Sequence, residues 1–253
     1  DPAYLEKCMK YDYTREDLKN AVLDVKNALC YLELHIEQGK TLYEAHKQIG
    51  AVTGIVGLQR YQAEVRGESN HAGTTMMEYR KDALVEAAKV ILKSDELARK
   101  FGHHMVATVG KMDVYPGAVA VIPGKVDMVL EFRNQDEQRM ENYIEQMKES
   151  FEGSGNVSFT PLVKKKPVKC DPKIVDVITQ ICKEQGISCV QMPSGATHDG
   201  NAMAMKMPIG MIFVPSKDGI SHSVHEWTEW DEVETGVKVL YETIKRLDQS
   251  VSE

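Results

Sequence analysis

Four histidines of this 253-residue sequence sit in short runs of small and polar residues. His35 lies in Glu33-Leu-His-Ile-Glu-Gln-Gly39 and His71 in Ser69-Asn-His-Ala-Gly-Thr-Thr75. His198 lies in Ser194-Gly-Ala-Thr-His-Asp-Gly200 and His222 in Asp218-Gly-Ile-Ser-His-Ser-Val-His-Glu226. Loops carried on a rigid scaffold are where function concentrates. Neutral imidazole is a common zinc ligand, and a nearby carboxylate fixes its tautomer; His35 has Glu33 and Glu37 beside it. Spacing alone leaves a metal site open without establishing one. There is no H-E-x-x-H, and a lone histidine in such a run is more often structural. No G-x-S-x-G elbow supports a serine hydrolase, and no G-x-G-x-x-G or Walker loop supports a nucleotide site. Arg133 ends an alternating run in which Phe132 faces the core, so it shares the opposite face with Glu131. Its fork suits a carboxylate, but sequence alone favours a surface pair with Glu131 or Asp136. In Met203-Ala-Met-Lys-Met207, core filling outweighs a soft metal site.

These residues need elements to position them. Thr14 with Asp17 marks a helix start, and Leu18, Val22, Val25 and Leu29 recur at helical spacing. Cys30 to Glu37 reads as a buried strand ended by Gly39, and Gly50, Gly54 and Gly57 as a flexible crossing. Strands follow at Tyr61–Val65, Met105–Val109, Val126–Phe132 and Asn156–Val163. Between them run helical stripes at Leu84, Ala88, Ile91 and Leu92, and at Met140, Tyr143, Ile144, Met147 and Phe151. The order β-α-β-β-α-β is the ferredoxin-like split motif. Lys164-Lys165-Lys166 reads as a solvated linker after it. Asp171-Pro172 opens a helix with Ile174, Ile178, Ile181 and Cys182 inward. Strands near Ser188–Met192 and Ile209–Val214 and a last helix with Val233, Val237, Leu240 and Ile244 complete an α/β layer with a largely parallel sheet. The expected organisation is an α/β domain in two pieces, residues 1–55 and 165–253, interrupted by an α+β domain at 56–164.

A net charge of −7 argues against a nucleic-acid footprint. No apolar run approaches the roughly 20 residues of a membrane span. Cys8, Cys30, Cys170, Cys182 and Cys189 include no C-x-x-C pair, which favours reduced thiols in a cytoplasmic protein. The sequence begins at Asp1 rather than Met and reads as a processed product or a portion of something longer.

Taken together, the motifs resemble the hydantoinase/carbamoylase family of amidases, within the larger group of dinuclear-zinc aminoacylases and peptidases. The resemblance is carried by Glu33 to Gly39, Asn70 to Thr75 with Arg80 and Asp82-Ala83, Glu131-Phe-Arg133, Ser194 to Asp199, and Phe213 to Ser216 with Gly219 to His222 and Glu226. It implies a zinc-peptidase-like α/β catalytic domain interrupted by a ferredoxin-like lid that also dimerises the protein. It implies two divalent metals per subunit, zinc or else manganese, cobalt or nickel. His35 and His222 would be ligands on different metals, and Gln38 would contact a ureido or amide group. His71 would steady the oxyanion in a site completed across the dimer, Arg133 would clamp a carboxylate, and His198 would touch substrate. The implied reaction is hydrolysis of a linear amide or ureide C–N bond in a small carboxylated substrate, an N-carbamoyl-L-amino acid first and allantoate second. An aminoacylase or dipeptidase of the same group, or a non-catalytic dimerisation module, are the alternatives.

The sequence departs from the family in three ways. The block supplying the other metal ligands and the general base is missing, so the chain alone is expected to bind metal weakly or not at all and to be inactive. Ala120 in Pro116-Gly-Ala-Val-Ala-Val-Ile-Pro123 stands where an asparagine partner of Arg133 is usual. Met76 and Thr197 stand where proline and glycine are usual.

Overall fold

The computed structural model describes residues 10–102 and 104–249; Cys8 lies outside them. The chain forms helix α1 (Arg15–Asn20), strand β1 (Tyr31–Ile36), α2 (Thr41–Glu44), β2 (Ile49–Ile55), β3 (Gly57–Arg66), β4 (Asn70–His71) and α3 (Ala83–Phe101). It continues through β5 (Val106–Tyr115), β6 (Val121–Ile122), β7 (Lys125–Asn134), α4 (Glu137–Phe151), β8 (Val157–Lys165) and β9 (Val168–Lys169). The last elements are α5 (Pro172–Glu184), β10 (Cys189–Ser194), α6 (Gly200–Met203), β11 (Ile209–Val214) and α7 (Trp230–Gln249). The result is a mixed α/β fold with two main sheets.

The first sheet runs β1-β11-β2-β10, with β9 beside β2. Most of its pairing is parallel, as expected, but one central junction departs from that pattern. β1 and β11 are parallel, as are β2 and β10, but β11 meets β2 antiparallel. Strand–helix alternation in sequence could not reveal that the two parallel pairs join back to back. Helices α5 and α7 pack on this sheet and on each other. Ile174, Ile178, Ile181 and Cys182 are buried, as the α5 stripe predicts. The α7 stripe is turned from its expected line: Val237 and Ile244 are about half exposed, and Gly236, Val239 and Thr243 face inward. A Cβ on Gly236 would lie 2.6 Å from Val214 Cγ1, so the small residue sets the face that approaches the sheet.

The second sheet runs β5-β7-β3-β8, antiparallel throughout. Helices α3 and α4 cover it. Along β7, Val126, Met128, Leu130 and Phe132 are buried in strict alternation. Phe132 packs 4.7 Å from the Tyr143 ring and 5.9 Å from Tyr61, centroid to centroid. Burying a side chain of this size contributes about 2–3 kcal/mol. The α4 stripe is buried as predicted. On α3 the inward residues are Ala83, Ala87, Val90, Ser94, Leu97 and Ala98, while Leu92 is 71 % exposed. Small residues line much of the close approach, and Leu84 and Leu92 lie at its margins.

Three further readings are corrected. The capping box at Thr14 and Asp17 forms, but α1 ends at Asn20, and Val22 and Leu29 are exposed. An amphipathic stripe without a face to bury has too little intrinsic helical stability to continue. The region of Gly50, Gly54 and Gly57 is strand, not a flexible crossing. A Cβ on Gly54 would lie 2.5 Å from the Val168 carbonyl oxygen, so close packing is what requires glycine there. Lys164 and Lys165 lie within β8 rather than in a linker, and Lys164 pairs with Glu141. In the methionine run, Met203 packs against the core while Met205 is 77 % exposed. Among the described residues no helix is long and apolar enough to cross a membrane.

Candidate functional site

Between the two sheets lies a cleft of about 810 Å³. Gln38, His35 and His222 line one side, and Arg133 lines it from β7. The strand β1 delivers His35, and its period of two puts Glu33 on the same face. The backbone turns sharply after β1: Glu37 is buried and accepts the amides of Thr41 (2.8 Å) and Leu42 (2.7 Å), tying down the start of α2. Gln38 then takes a left-handed φ of 59°, and His222 does the same at 56°. Strained non-glycine backbone of this kind persists where surrounding contacts over-determine it, and such residues cluster at functional sites.

Those contacts are explicit. The Gln38 amide donates to Ser216 Oγ, and its side-chain Nε2 donates to Ser221 Oγ (3.0 Å) and lies 3.3 Å from His222 Nε2. Glu226 accepts from Ser221 Oγ (2.7 Å) and the His222 amide (3.0 Å). The Ser221 hydrogen bond, joined by that of His222, holds the Glu226 carboxyl below its ordinary range. Residues 184 positions apart in sequence are thus locked together, with the Gln38 carbonyl Oε1 left as an acceptor.

His35 Nδ1 lies 2.9 Å from the Ile36 carbonyl oxygen. A carbonyl only accepts, so Nδ1 carries the proton and Nε2 keeps its lone pair. The His198 ring packs edge-on to His35 with centroids 4.7 Å apart. Its side chain is 1 % exposed, with Nε2 at 2.7 Å from Ser194 Oγ and Nδ1 at 3.5 Å from Glu33 Oε1. Burial pushes its pKa down to about 4; the nearby His35 adds to the shift and Asp199 opposes it. His198 is therefore neutral near pH 7. Glu33, His35 and His198 each offer a ligand atom within 4.8 Å of the others.

Arg133 donates through Nε and Nη2 to Glu131 Oε1 (2.9 and 2.8 Å) and through Nη1 to the Gly195 carbonyl (2.8 Å). The surface pair with Glu131 that sequence favoured is formed, and the same guanidinium lines the cleft. Burial opposes ionisation of Glu131, but hydrogen bonds from Arg60 and Arg133 outweigh it and hold its carboxyl below the usual range. Gln135 adds a second tie between the sheets, bonding Thr53 Oγ1 (3.1 Å) and the Gly54 carbonyl (3.0 Å).

Not all expected site residues meet. His71 is exposed on β4 and does not line this cleft within its own chain. The amides of Gly73 and Thr74 donate to its Nδ1 (3.0 and 3.2 Å), which puts the proton on Nε2. Ala120 also lies away from Arg133: its carbonyl accepts the Ala72 amide beside His71. Sequence reasoning did not single out Ser194, Ser221 or His104, and His104 lines the cleft near Arg133. Glu33 was noted only as a neighbour of His35; the i, i+2 spacing in a strand was the available signal.

Residues 14–246 match the family described as Peptidase family M20/M25/M40. The chain belongs to that family. The chain is 40 % identical over 224 residues to the N-carbamoyl-L-amino acid amidohydrolase of Geobacillus stearothermophilus, covering 87 % of this chain and 54 % of that protein. It is 35 % identical over 226 residues to the allantoate amidohydrolase of Bacillus subtilis, covering 86 % and 54 %. The crystal structure of a hydantoinase/carbamoylase family amidase from Burkholderia multivorans superposes with a TM-score of 0.82 at 32 % identity, covering 87 % of this chain and 55 % of that one. The chain thus spans about half the length of the relatives it matches.

Proposed function

We propose that this chain is a portion of a metal-dependent amidohydrolase that cleaves a linear ureide or amide C–N bond in a small carboxylated substrate. An N-carbamoyl-L-amino acid is the first candidate and allantoate the second. The observation that carries the reading is that His35 and His222, far apart in the sequence, line one cleft with Arg133. In this reading Arg133 holds the substrate carboxylate and the Gln38 Oε1 receives a ureido N–H. His198 touches substrate, and His71 donates from Nε2 to the developing oxyanion. Because His71 stands outside its own chain's cleft, it serves the site of a second subunit, in a homodimer formed through the unit of residues 56–164, which acts as a lid. Cys30, Cys170, Cys182 and Cys189 are free thiols, which suits a reducing compartment, and we assign the protein to the cytoplasm.

The described residues fit part of a two-metal centre rather than the whole. His35 presents a bare Nε2, and His222 shares its cleft, but a catalytic metal takes about three protein ligands. Two ions therefore need more donors than the described residues bring to the cleft, and the missing ones belong to other parts of the whole protein. Ammonia release from N-carbamoyl-L-amino acids tests this. The whole protein is expected to lose activity on chelation and regain it with zinc, manganese, cobalt or nickel, while the 253-residue chain alone gives none. Full activity of the chelated whole protein, or equal activity of the chain by itself, contradicts it.

A further inference from the structure

We infer that Cys182 and Cys189 form a redox-active dithiol that peroxide converts to an intramolecular disulfide, pinning strand β10 to helix α5. Neither residue lines the cleft, and the inference does not rest on the amidohydrolase reading. Local structure brings the two thiols together. Cys182 lies in the last turn of α5. The Ile187 amide donates to the Cys182 carbonyl (2.8 Å), and Gly186 takes a left-handed φ of 68°, so the chain reverses within a few residues. Cys189 then opens β10, which packs on α5. At the join the two thiols hydrogen-bond to one another. Strand β10 ends its sheet and pairs only with β2 among the described residues. A link to α5 therefore secures an edge that the ladder holds from one side.

The pair is asymmetric in the way a sulfur relay requires. Cys182 is fully buried in the core of the first sheet, and Cys189 is half-buried at its margin. The hydrogen bond from Cys182 holds the Cys189 thiol below its ordinary range; burial opposes this, and the Ala51 backbone and the Lys47 charge add to it. The same bond, joined by burial, pushes the Cys182 thiol up. The thiolate is the nucleophile, and a positive neighbour favours it. Cys189 therefore reacts first and Cys182 resolves. The other described cysteines lack this arrangement. Burial pushes the Cys170 thiol up to about 12, and burial with the Asp171 charge raises Cys30.

In the first step the Cys189 thiolate attacks one peroxide oxygen, the O–O bond breaks, and the departing hydroxide takes a proton and leaves as water. Cys189 is then a sulfenic acid. In the second step the Cys182 sulfur attacks the Cys189 sulfur, the S–O bond breaks, and the hydroxide takes the Cys182 proton and leaves as a second water. The two thiols together lose two electrons and peroxide gains them. A sulfenic acid with a thiol beside it condenses to a disulfide before it oxidises further. A transient, redox-sensing bond of this kind is the sort that a reducing compartment permits.

Peptide mapping of the whole protein tests this, after hydrogen peroxide at one equivalent, alkylation and digestion without reductant. A Cys182–Cys189 linked peptide is expected, about 2 Da lighter than the reduced pair, and dithiothreitol is expected to reverse it. Cys182→Ser is expected to leave Cys189 as a sulfenic acid that dimedone traps. Lys47→Gln, which replaces neither sulfur, is expected to slow linkage by about threefold, the size of a surface charge effect. Amide exchange of β10 is expected to slow by about tenfold in the linked protein, because the edge opens less often. The map of the parent protein stands even if a cysteine variant folds poorly. Peroxide that leaves Cys182 and Cys189 as thiols, or links either of them to a different cysteine, overturns the inference. Linkage with unchanged exchange in β10 overturns the pinning of the strand.

Discussion

Mixing two inactive whole-protein variants, His71→Ala and His35→Ala, is expected to restore turnover that neither shows alone. Each variant should fail for a different reason. Without His71 the transition state loses a preorganised donor, a loss of about 10²–10³ in kcat. If His35 holds a metal as proposed, its loss removes a ligand. If His71 acts on the partner's cleft, a mixed dimer carries one intact site, made from His35 of one subunit and His71 of the other. Random pairing in a two-fold dimer makes half the dimers mixed, so about a quarter of wild-type activity returns. The structural basis is direct: His71 is exposed, its proton is placed on Nε2 by two backbone amides, and it is absent from its own chain's cleft. No recovery on mixing, with dimers formed, means that His71 acts within its own chain or not at all.

Arg133→Ala is expected to raise KM for carboxylated substrates by about 10- to 150-fold, the equivalent of about 1.5–3 kcal/mol for a hydrogen bond to a charged group. Arg133→Lys recovers only part of the loss, because a point charge does not replace a planar fork. Arg133 also holds the Gly195 carbonyl and Glu131, so its removal loosens the loop that carries His198. Steady-state kinetics on a substrate whose carboxylate is converted to the amide separates the two roles. Carboxylate binding predicts that Arg133→Ala impairs this neutral substrate far less than the carboxylated one. Equal losses on both substrates mean that Arg133 acts only through the loop.

How much of this was legible in the sequence depends on how local each signal is. The strict alternation at Val126 to Phe132 and the α4 stripe reported their buried faces correctly, because each large apolar residue there packs inward. On α3 and α7 the inward faces are built from Ala83, Ala87, Gly236 and Thr243, small residues that carry little hydrophobic signal but permit close approach. Glycine misled for the same reason at Gly50 and Gly54, where it marks tight packing rather than freedom. The antiparallel junction of β11 with β2 is set by tertiary contacts and has no local signature. In the site, family-like runs pointed to His35, Gln38, Arg133, His198 and His222. What they could not show is the web joining them: Gln38 to His222, Arg133 to Gly195, and Glu33 to His198.

The central claim is that the cleft reads a ureido group next to a carboxylate. The most direct measurement is kcat/KM of the metal-loaded whole protein on N-carbamoyl-L-amino acids, allantoate, the matching N-acetyl amino acids and dipeptides. The Gln38 Oε1 is an acceptor that a ureido amine satisfies and an acetyl methyl leaves unpaired. The account predicts a preference for the ureido substrates of roughly a hundredfold or more. Equal or better turnover of the acetylated amino acids or dipeptides, or no turnover of any of the four, contradicts it.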